Sequence, residues 1–576
     1  MNIKEQITDL IKKAVIDLGI SEVDIPAFTL EHPDEMSHGD FATNVALMLS
    51  KPLKKSPVQI AKEIVEILNK NKISEVDKIE MAGPGFINFY LSPSYFMGEV
   101  KKILNKKELY GQNDILKKQK TIIEYTDPNP FKEFHIGHLM SNSIGEAVSR
   151  IIEAFGSKII RVSYGGDVGL HVAKSIYAVL EQESRISEVK KNSPKEQLTF
   201  WAKSYVEGST AYENNPEAKA EIDTLNKVIF DKSDEHINKL YEWGREISIE
   251  HFQEVFKRLG THFAHNFWES EVITDALKAV DEGLQKNILE KSQGAVIFKG
   301  ENYGLHTRVF VNSKGVPTYE AKELGLGVKK MELYDFDSSI VITGNEQDDY
   351  FKVLLTVIGL LRPKVKDKTV HIGHGMLRFA TGKMSSRKGN IITGISLLDQ
   401  VKEIILEKMK DRDFTSEEKE LMAEMISVGA IKYSVLKQVA GSDIIFDFDK
   451  SLSFEGDSGP YLQYACVRAK SILEKAEKEG IKANMNSEQK AEVGELPKLL
   501  IRFPEIVERA GKEYAPHYLA IYLTELASAF SSFYAQEIVV DKNDPKSPYK
   551  VALTQAFSIV MKNGLNLLGI KVPEKM

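Results

Sequence analysis

The sequence is almost without cysteine: Cys466 stands alone in 576 residues. A disulfide framework within one chain is therefore impossible, and a zinc site built on four thiolates is excluded. No apolar run reaches the roughly 18 residues that a membrane span needs. The N-terminus, MNIKEQITDLIKKAVIDLGI, carries charges throughout, so it lacks the apolar core of a signal peptide. Ile3, Ile7, Leu10, Ile11, Ala14 and Leu18 mark an amphipathic helix there instead. Positive charge is not in excess. Lys+Arg is 76 against 83 for Asp+Glu, a formal charge of −7, which excludes a wholesale basic coat but not local basic patches. Internal repeats and low-complexity tracts are also missing. What is present is globular: 42% hydrophobic residues is too apolar for a disordered chain. At roughly 150 residues per domain, the length predicts three or four domains.

Residues 1–105 read as a small α+β unit, with helical patterns at 3–18 and 57–69 and a strand after the Gly83-Pro84-Gly85 turn. A lysine-rich stretch follows, and 106–120 reads as a linker. TIIEY (121–125), the turn DPNP (127–130), an apolar helical pattern through Ile144, Val148, Ile151 and Phe155, and KIIRVS (158–163) form a strand–helix–strand unit. That order predicts a parallel, Rossmann-type α/β sheet. Its first half covers 121–171. Residues 172–300 are charged and read as a helical insertion. The sheet resumes over 301–380, with strands SSIVITG (338–344) and KTVHIG (368–373) around a helix at 348–361. A loop with connecting helices spans 381–440, and 441–576 reads as an all-α bundle.

His135-Ile136-Gly137-His138 falls where the first strand–turn–helix unit opens its helix. Unpaired N–H groups at a helix start carry partial positive charge and attract phosphate. Two histidines three residues apart share one face of that first turn and can both donate. Gly137 leaves room for a flat base against the backbone. The letters repeat at His371-Ile372-Gly373-His374, but no helix follows, so the second copy reads as a strand end. Lys383-Met384-Ser385-Ser386-Arg387-Lys388-Gly389 combines cations, hydroxyls and glycine in a way that suits closure over a polyphosphate; a basic surface loop would read the same. Glu124, Asn129, Asp167, Tyr319, Glu323 and Gln347 lie near predicted strand ends. They would suit a small cationic substrate, and they would equally suit caps and turns.

Together and in this order, these clusters resemble class I aminoacyl-tRNA synthetases, whose two signatures are H-I-G-H and K-M-S-K-S. Within that class the chain is most similar to the arginyl-tRNA synthetases. The similarity rests on EYTDPNPFKEFHIGHLMSNSIGE (124–146), GGDVG (165–169), GPYLQYACVRAKSIL (459–473) and LGIKVPEKM (568–576), with HGDFATNVAL (38–47) and AGPGFINFYLS (82–92) matching that family's extra N-terminal domain.

The resemblance implies an ATP-dependent arginine–tRNA ligase working through an arginyl-adenylate. His135, Gly137 and His138 would bind ATP, with Lys383, Met384, Ser385, Ser386, Arg387 and Lys388 closing over the pyrophosphate. Glu124, Asn129, Tyr319, Glu323 and Gln347 would bind arginine. Phe86 and Asn88 would meet the tRNA elbow; Tyr461, Gln463 and Met576 would lie near the anticodon. Ser386 stands where the signature has its second lysine, and Lys132 is expected to replace it. Glu323 stands where the family usually has aspartate, a displacement by one methylene. Partners are then tRNA(Arg), L-arginine and ATP with its Mg²⁺; no zinc, no membrane, a monomer and a cytoplasmic location are expected. A sister class I synthetase and a non-catalytic RNA-binding relative are the alternatives.

Overall fold

The computed structural model describes residues 2–380, 393–485 and 493–576. The chain forms two compact units, each discontinuous in sequence.

The larger unit comprises Gly111–Val467, Ile506–Thr524 and Gly564–Met576. Its centre is a sheet of five parallel strands: β1 (Lys120–Glu124), β2 (Lys158–Gly165), β3 (His265–Trp268), β4 (Ser338–Gly344) and β5 (Thr369–His374), in spatial order β5-β4-β1-β2-β3. Ile122 and Ile123 face opposite sides of β1, yet neither is exposed, because helices cover both faces. The strand order reverses between β1 and β4, and ligands of such sheets bind outside the carboxyl ends at that point. Helix α1 (Ile136–Glu153) leaves from there. Its Gly145 lies so close to Tyr125 that a Cβ would stand 2.1 Å from the ring, so this glycine lets helix and strand meet.

The stretch 172–300 is not purely helical. Helices Pro194–Asn214, Pro216–Asp231 and α2 (Glu235–Leu259) pack on their own core of Trp201, Ile222, Leu240 and Trp243. Immediately beyond, the four residues of β3 supply the edge strand of the main sheet. Four residues are too few to show a period beside a 25-residue helix. Glu290–Ser292 and Ala295–Phe298 then join Arg308–Val311 in a small antiparallel sheet. The region expected to be all-helical from 441 also opens with a strand, Ile444–Phe446, paired in parallel with Leu377–Phe379. Helices α3 (Glu269–Gln285), α4 (Tyr319–Tyr334), α5 (Asp348–Leu361) and α6 (Ser416–Leu436) complete the parts used below.

The smaller unit comprises Met1–Tyr110, Arg468–Glu505 and Glu525–Asn563. An antiparallel four-stranded sheet carries helices Ile3–Asp17 and Pro57–Lys70 over a core of Ile7, Ile11, Phe41, Ile64 and Phe89. Glu505 ties its late segment to its start, accepting from Lys4 Nζ at 2.7 Å and lying 3.1 Å from His32 Nε2. Tyr110, inside the predicted linker, is buried and stacks on Phe503.

Candidate active site

The segment after β1 is backbone under strain. Thr126 (φ 82°), Asp127 (φ 48°) and Phe131 (φ 68°) all occupy the left-handed region that non-glycine residues avoid. Surrounding hydrogen bonds hold it there. Thr126 N–H donates to Ser141 Oγ at 3.0 Å, and Asn142 Nδ2 donates to Thr126 Oγ1 at 3.0 Å. Tyr164 N–H donates to Asp127 Oδ1 at 2.8 Å, and Phe131 N–H to Ser248 Oγ at 3.0 Å.

This segment delivers His135 to the start of α1. The His135 and His138 rings stack with centroids 3.5 Å apart and planes 23° from parallel. His138 Nδ1 accepts from the His135 backbone N–H at 3.2 Å. The ring proton of a neutral His138 therefore sits on Nε2, as a donor. Burial, then the neighbouring His135 and Lys132, drives the His138 pKa well down; burial and Lys132 lower that of His135. Both rings are thus neutral donors near pH 7, suited to phosphate oxygens without adding charge. Gly137 serves this arrangement differently from the sequence expectation: a Cβ there would stand 2.9 Å from His135 Cε1, so the vacant space accommodates the histidine ring. The Lys132 ammonium lies 5.1 Å from the centroid of the Tyr205 ring.

Beside the carboxyl end of β1 lies an acidic cluster. Glu124, 2% exposed, ion-pairs with Lys330 of α4. Glu269, the first residue of α3 and 3% exposed, pairs with Lys322 of the same α4. Lys322 and Lys330 are eight residues apart, so one helix face supplies both cations. Two more carboxyls, Asp127 and Glu323, feel these charges. Burial and then Glu124 push the Asp127 pKa well up, and the same two causes raise Glu323 to about 8. Burial also raises Glu269, against the pull of Lys322. Four carboxyls thus lie about two ammonium groups, and burial disfavours ionising all four together. The buried Tyr164 hydroxyl, close enough to these carboxyls to feel them, has no hydrogen-bond partner among the described residues. A guanidinium, with five donors and a permanent charge, is the chemistry such a site lacks.

The other predicted arginine ligands are distributed unevenly. Asn129 Oδ1 accepts from Gly166 N–H at 2.7 Å, which leaves its amide nitrogen to donate. Tyr319 begins α4 and is 63% exposed, with Lys322 Nζ 4.5 Å from its ring centroid. Gln347 is exposed in the turn after β4. Asp167 is no free acceptor. It is fully buried and accepts from Tyr241 Oη, Arg245 Nε, Ser270 Oγ and Ser270 N–H, all within 3.0 Å. It braces the loop after β2 against α2 and α3. His371 of the second motif copy is likewise internal, stacked on Phe351 with Nε2 2.8 Å from Thr343 Oγ1. Lys383, Met384, Ser385, Ser386, Arg387 and Lys388 lie outside the described residues.

Two of the residues expected to meet RNA are enclosed in the free chain. Asn88 is 4% exposed within an antiparallel strand, while its neighbour Phe86 is exposed. Gln463 is wholly buried, its Nε2 donating to Lys571 O at 2.6 Å and Met425 O at 3.1 Å. Gln463 Oε1 is left without a hydrogen-bond partner among the described residues. Tyr461 and Met576 are partly buried. Asp127, Glu269, Lys322 and Lys330 were not anticipated as site residues. Asp127 stood in the turn motif, but a buried turn aspartate and a solvated one read alike; the lysines became legible only once α4 was placed against β1.

Three family models match the chain: "tRNA synthetases class I (R), catalytic domain" over residues 99–448, "DALR anticodon binding domain" over 462–576, and "Arginyl tRNA synthetase N terminal domain" over 2–91. Relatives similar over their full length and that of this chain include arginine–tRNA ligases of Limosilactobacillus reuteri, 32% identical, and Clostridium kluyveri, 33% identical. The solved arginyl-tRNA synthetase of Thermus thermophilus shares the fold over 100% of both chains, with a TM-score of 0.77 at 22% identity. That of Plasmodium falciparum follows with 0.75 at 20%, covering 100% of this chain and 99% of the other. With a strained loop presenting two histidines, an acidic cluster beside them on the same sheet edge, and these matches from residue 2 to 576, the chain belongs to the arginyl-tRNA synthetase family.

Proposed function

We propose that the protein is an active arginine–tRNA ligase: it joins L-arginine to ATP, releasing diphosphate, and transfers the arginyl group to the terminal adenosine of tRNA(Arg), releasing AMP. The observation that carries this reading is the surplus of carboxyls over cations about the end of β1, Glu124 and Glu269 buried and Asp127 and Glu323 partly so. Glu124, Glu323 and Asp127 hold the guanidinium, and Asn129, Tyr319 and Gln347 complete the amino-acid pocket. His135 and His138 donate to the ATP phosphates at the start of α1, where the helix dipole adds to their effect. The arginine carboxylate oxygen then attacks the α-phosphorus. The bond from that phosphorus to the bridging oxygen breaks, and the electron pair leaves with diphosphate. Neutral donors stabilise this developing charge without adding a cation that would repel the bound guanidinium. Lys383, Arg387 and Lys388, with Met384, Ser385 and Ser386, close on the diphosphate side, and Lys132 supplies the cation that Ser386 does not.

Mg²⁺ arrives with the nucleotide. Among the described residues no group of three or more His, Cys, Asp or Glu is placed to hold a metal. Among the same residues no helix is long and apolar enough to cross a membrane. The protein acts as a cytoplasmic monomer; Phe86 and Asn88, in the stretch matched by the N-terminal model, and Tyr461, Gln463 and Met576, in or next to the stretch matched by the anticodon-binding model, are its tRNA(Arg) contacts. ATP–diphosphate exchange with each amino acid, with and without total tRNA, tests the reading. Exchange with arginine alone among the twenty supports it; exchange with another amino acid, or none with any, overturns it.

A further inference from the structure

Glu146 lies on α1, just over two turns beyond His138 and wholly inside the larger unit, and the mechanism above does not use it. It is 2% exposed. Its Oε2 accepts from the Tyr125 hydroxyl at 2.7 Å and from Arg161 Nε at 3.2 Å; its Oε1 accepts from Arg150 Nε at 2.7 Å. Tyr125 directly follows Glu124. Side chains alternate along extended backbone, so while Glu124 faces the acidic cluster, Tyr125 faces α1 and packs against Gly145. The next two residues, Thr126 and Asp127, are the strained ones. The Tyr125 hydroxyl is therefore the anchor that fixes where β1 ends, and Glu146 holds it.

Glu146 in turn takes its place from the end of the chain. Arg150 Nη1 donates to Asn566 O at 3.1 Å and to Asn566 Oδ1 at 2.8 Å. Lys432 of α6, 1% exposed, donates to Leu259 O at 2.7 Å and Gly569 O at 2.9 Å. Gly569 sits at the same junction: a Cβ on it would stand 3.0 Å from Lys432 Nζ, 3.5 Å from Glu146 Cγ and 3.7 Å from Arg150 Nε. A cavity of about 510 Å³ lies against Glu146, Arg150, Arg161 and Asn566, so this junction has room to rearrange.

We propose that Glu146 is a positioning residue for the arginine pocket, coupling the 566–569 segment through Arg150 and Tyr125 to the carboxyl end of β1. The coupling rests on the reading of Glu124 as an arginine ligand. A shift of the C-terminal segment pulls Arg150, releases or tightens the Glu146–Tyr125 bond, and turns Glu124 and Asp127 against the guanidinium. The histidine pair sits at the far end of α1, eight and eleven residues before Glu146, so the ATP end of the site should feel the shift less than Glu124 does.

The test is steady-state exchange kinetics on the full chain with tRNA present, for Tyr125→Phe, Arg150→Met and the double variant. Tyr125→Phe removes a single oxygen and keeps the ring. Each single change should raise the arginine KM about tenfold, the size expected for losing a hydrogen bond to a charged partner, with the ATP KM within about twofold. The double variant should be no worse than the more damaging single one, because both act through Glu146, and Arg150→Lys should recover part of the loss. Asn566→Ala, at an exposed residue whose loss cannot unfold the core, should raise the arginine KM about twofold to threefold. Equal rises in both KM values, additive single effects, or an arginine KM unmoved by Tyr125→Phe would overturn the coupling. Glu124→Gln serves as the control: an unchanged arginine KM there defeats the pocket assignment itself, whatever Glu146 does.

Discussion

Arginine binding should consume a deprotonation at Glu323. Burial and the neighbouring Glu124 hold this carboxyl at about 8, against 4.5 for an ordinary glutamate. A group with that pKa is about one-tenth ionised at pH 7 and about three-quarters ionised at pH 8.5. If the guanidinium binds the ionised form, the apparent affinity follows that fraction, so the dissociation constant for arginine should fall about eightfold between those two pH values. Arginine keeps its guanidinium charge throughout, while its α-amino group starts to titrate at the top of this window, so the protein's share is the part that Glu323→Gln removes. Folding carries the opposite sign: a carboxyl raised in the folded state makes stability fall as pH rises from about 4.5 to 8, and bound arginine should cancel that loss. Titration calorimetry in buffers of differing ionisation enthalpy reads both quantities, the dissociation constant and the proton released on binding. In Glu323→Gln the pH dependence should flatten and binding should be weak at every pH. An affinity that is flat or falling across pH 7 to 8.5 in the unsubstituted protein would refute the reasoning, because the proton would then not stand in the place of the substrate charge.

Three further outcomes follow from the same geometry. His138→Ala removes the Nε2 donor and should slow adenylate formation by about 10²-fold, with arginine affinity within twofold; an unchanged rate in single-turnover assays would take the start of α1 out of the mechanism. Lys330→Met leaves Glu124 buried without its cation, so the free protein should lose about 3–5 kcal/mol of stability, while the rise in melting temperature on adding arginine should exceed that of the unsubstituted protein. A smaller arginine-induced rise would show that the substrate does not reach Glu124. Lys432 is held at about 7 by burial, so the unfolded chain binds a proton that the folded chain lacks between about pH 7 and 10.5. Its contribution to stability should grow with pH across that window, and Lys432→Met should flatten this part of the stability profile in denaturant titrations at pH 7, 8 and 9.

The parts of this site that follow local rules were legible in the sequence. The strands SSIVITG and KIIRVS are β-branched runs between turn residues, and they form as read. The start of α1 announced itself because a helix N-terminus needs little beyond its own turn. What stayed hidden depends on contacts distant in sequence. The strand His265–Trp268 is extended because Val162 to Gly165 pairs with it, not because its four residues prefer that state. Gln463 and Asn88 carry polar side chains that suggest RNA contacts, but their neighbours enclose them. Glu124 appeared as a bare acceptor for substrate; that Lys330 already holds it could not be read from two residues more than 200 positions apart. Asp167 shows the same limit: four donors from α2 and α3 determine that it braces rather than binds.

The central claim is that a surplus of carboxyls over cations about the end of β1 selects a guanidinium. Citrulline has the shape of arginine but no charge, and exchange kinetics with the two side by side test the claim most directly. A value of kcat/KM about 10⁴-fold lower for citrulline is the predicted result, since the neutral ureido group leaves the carboxyls uncompensated. Comparable values for the two substrates would contradict it.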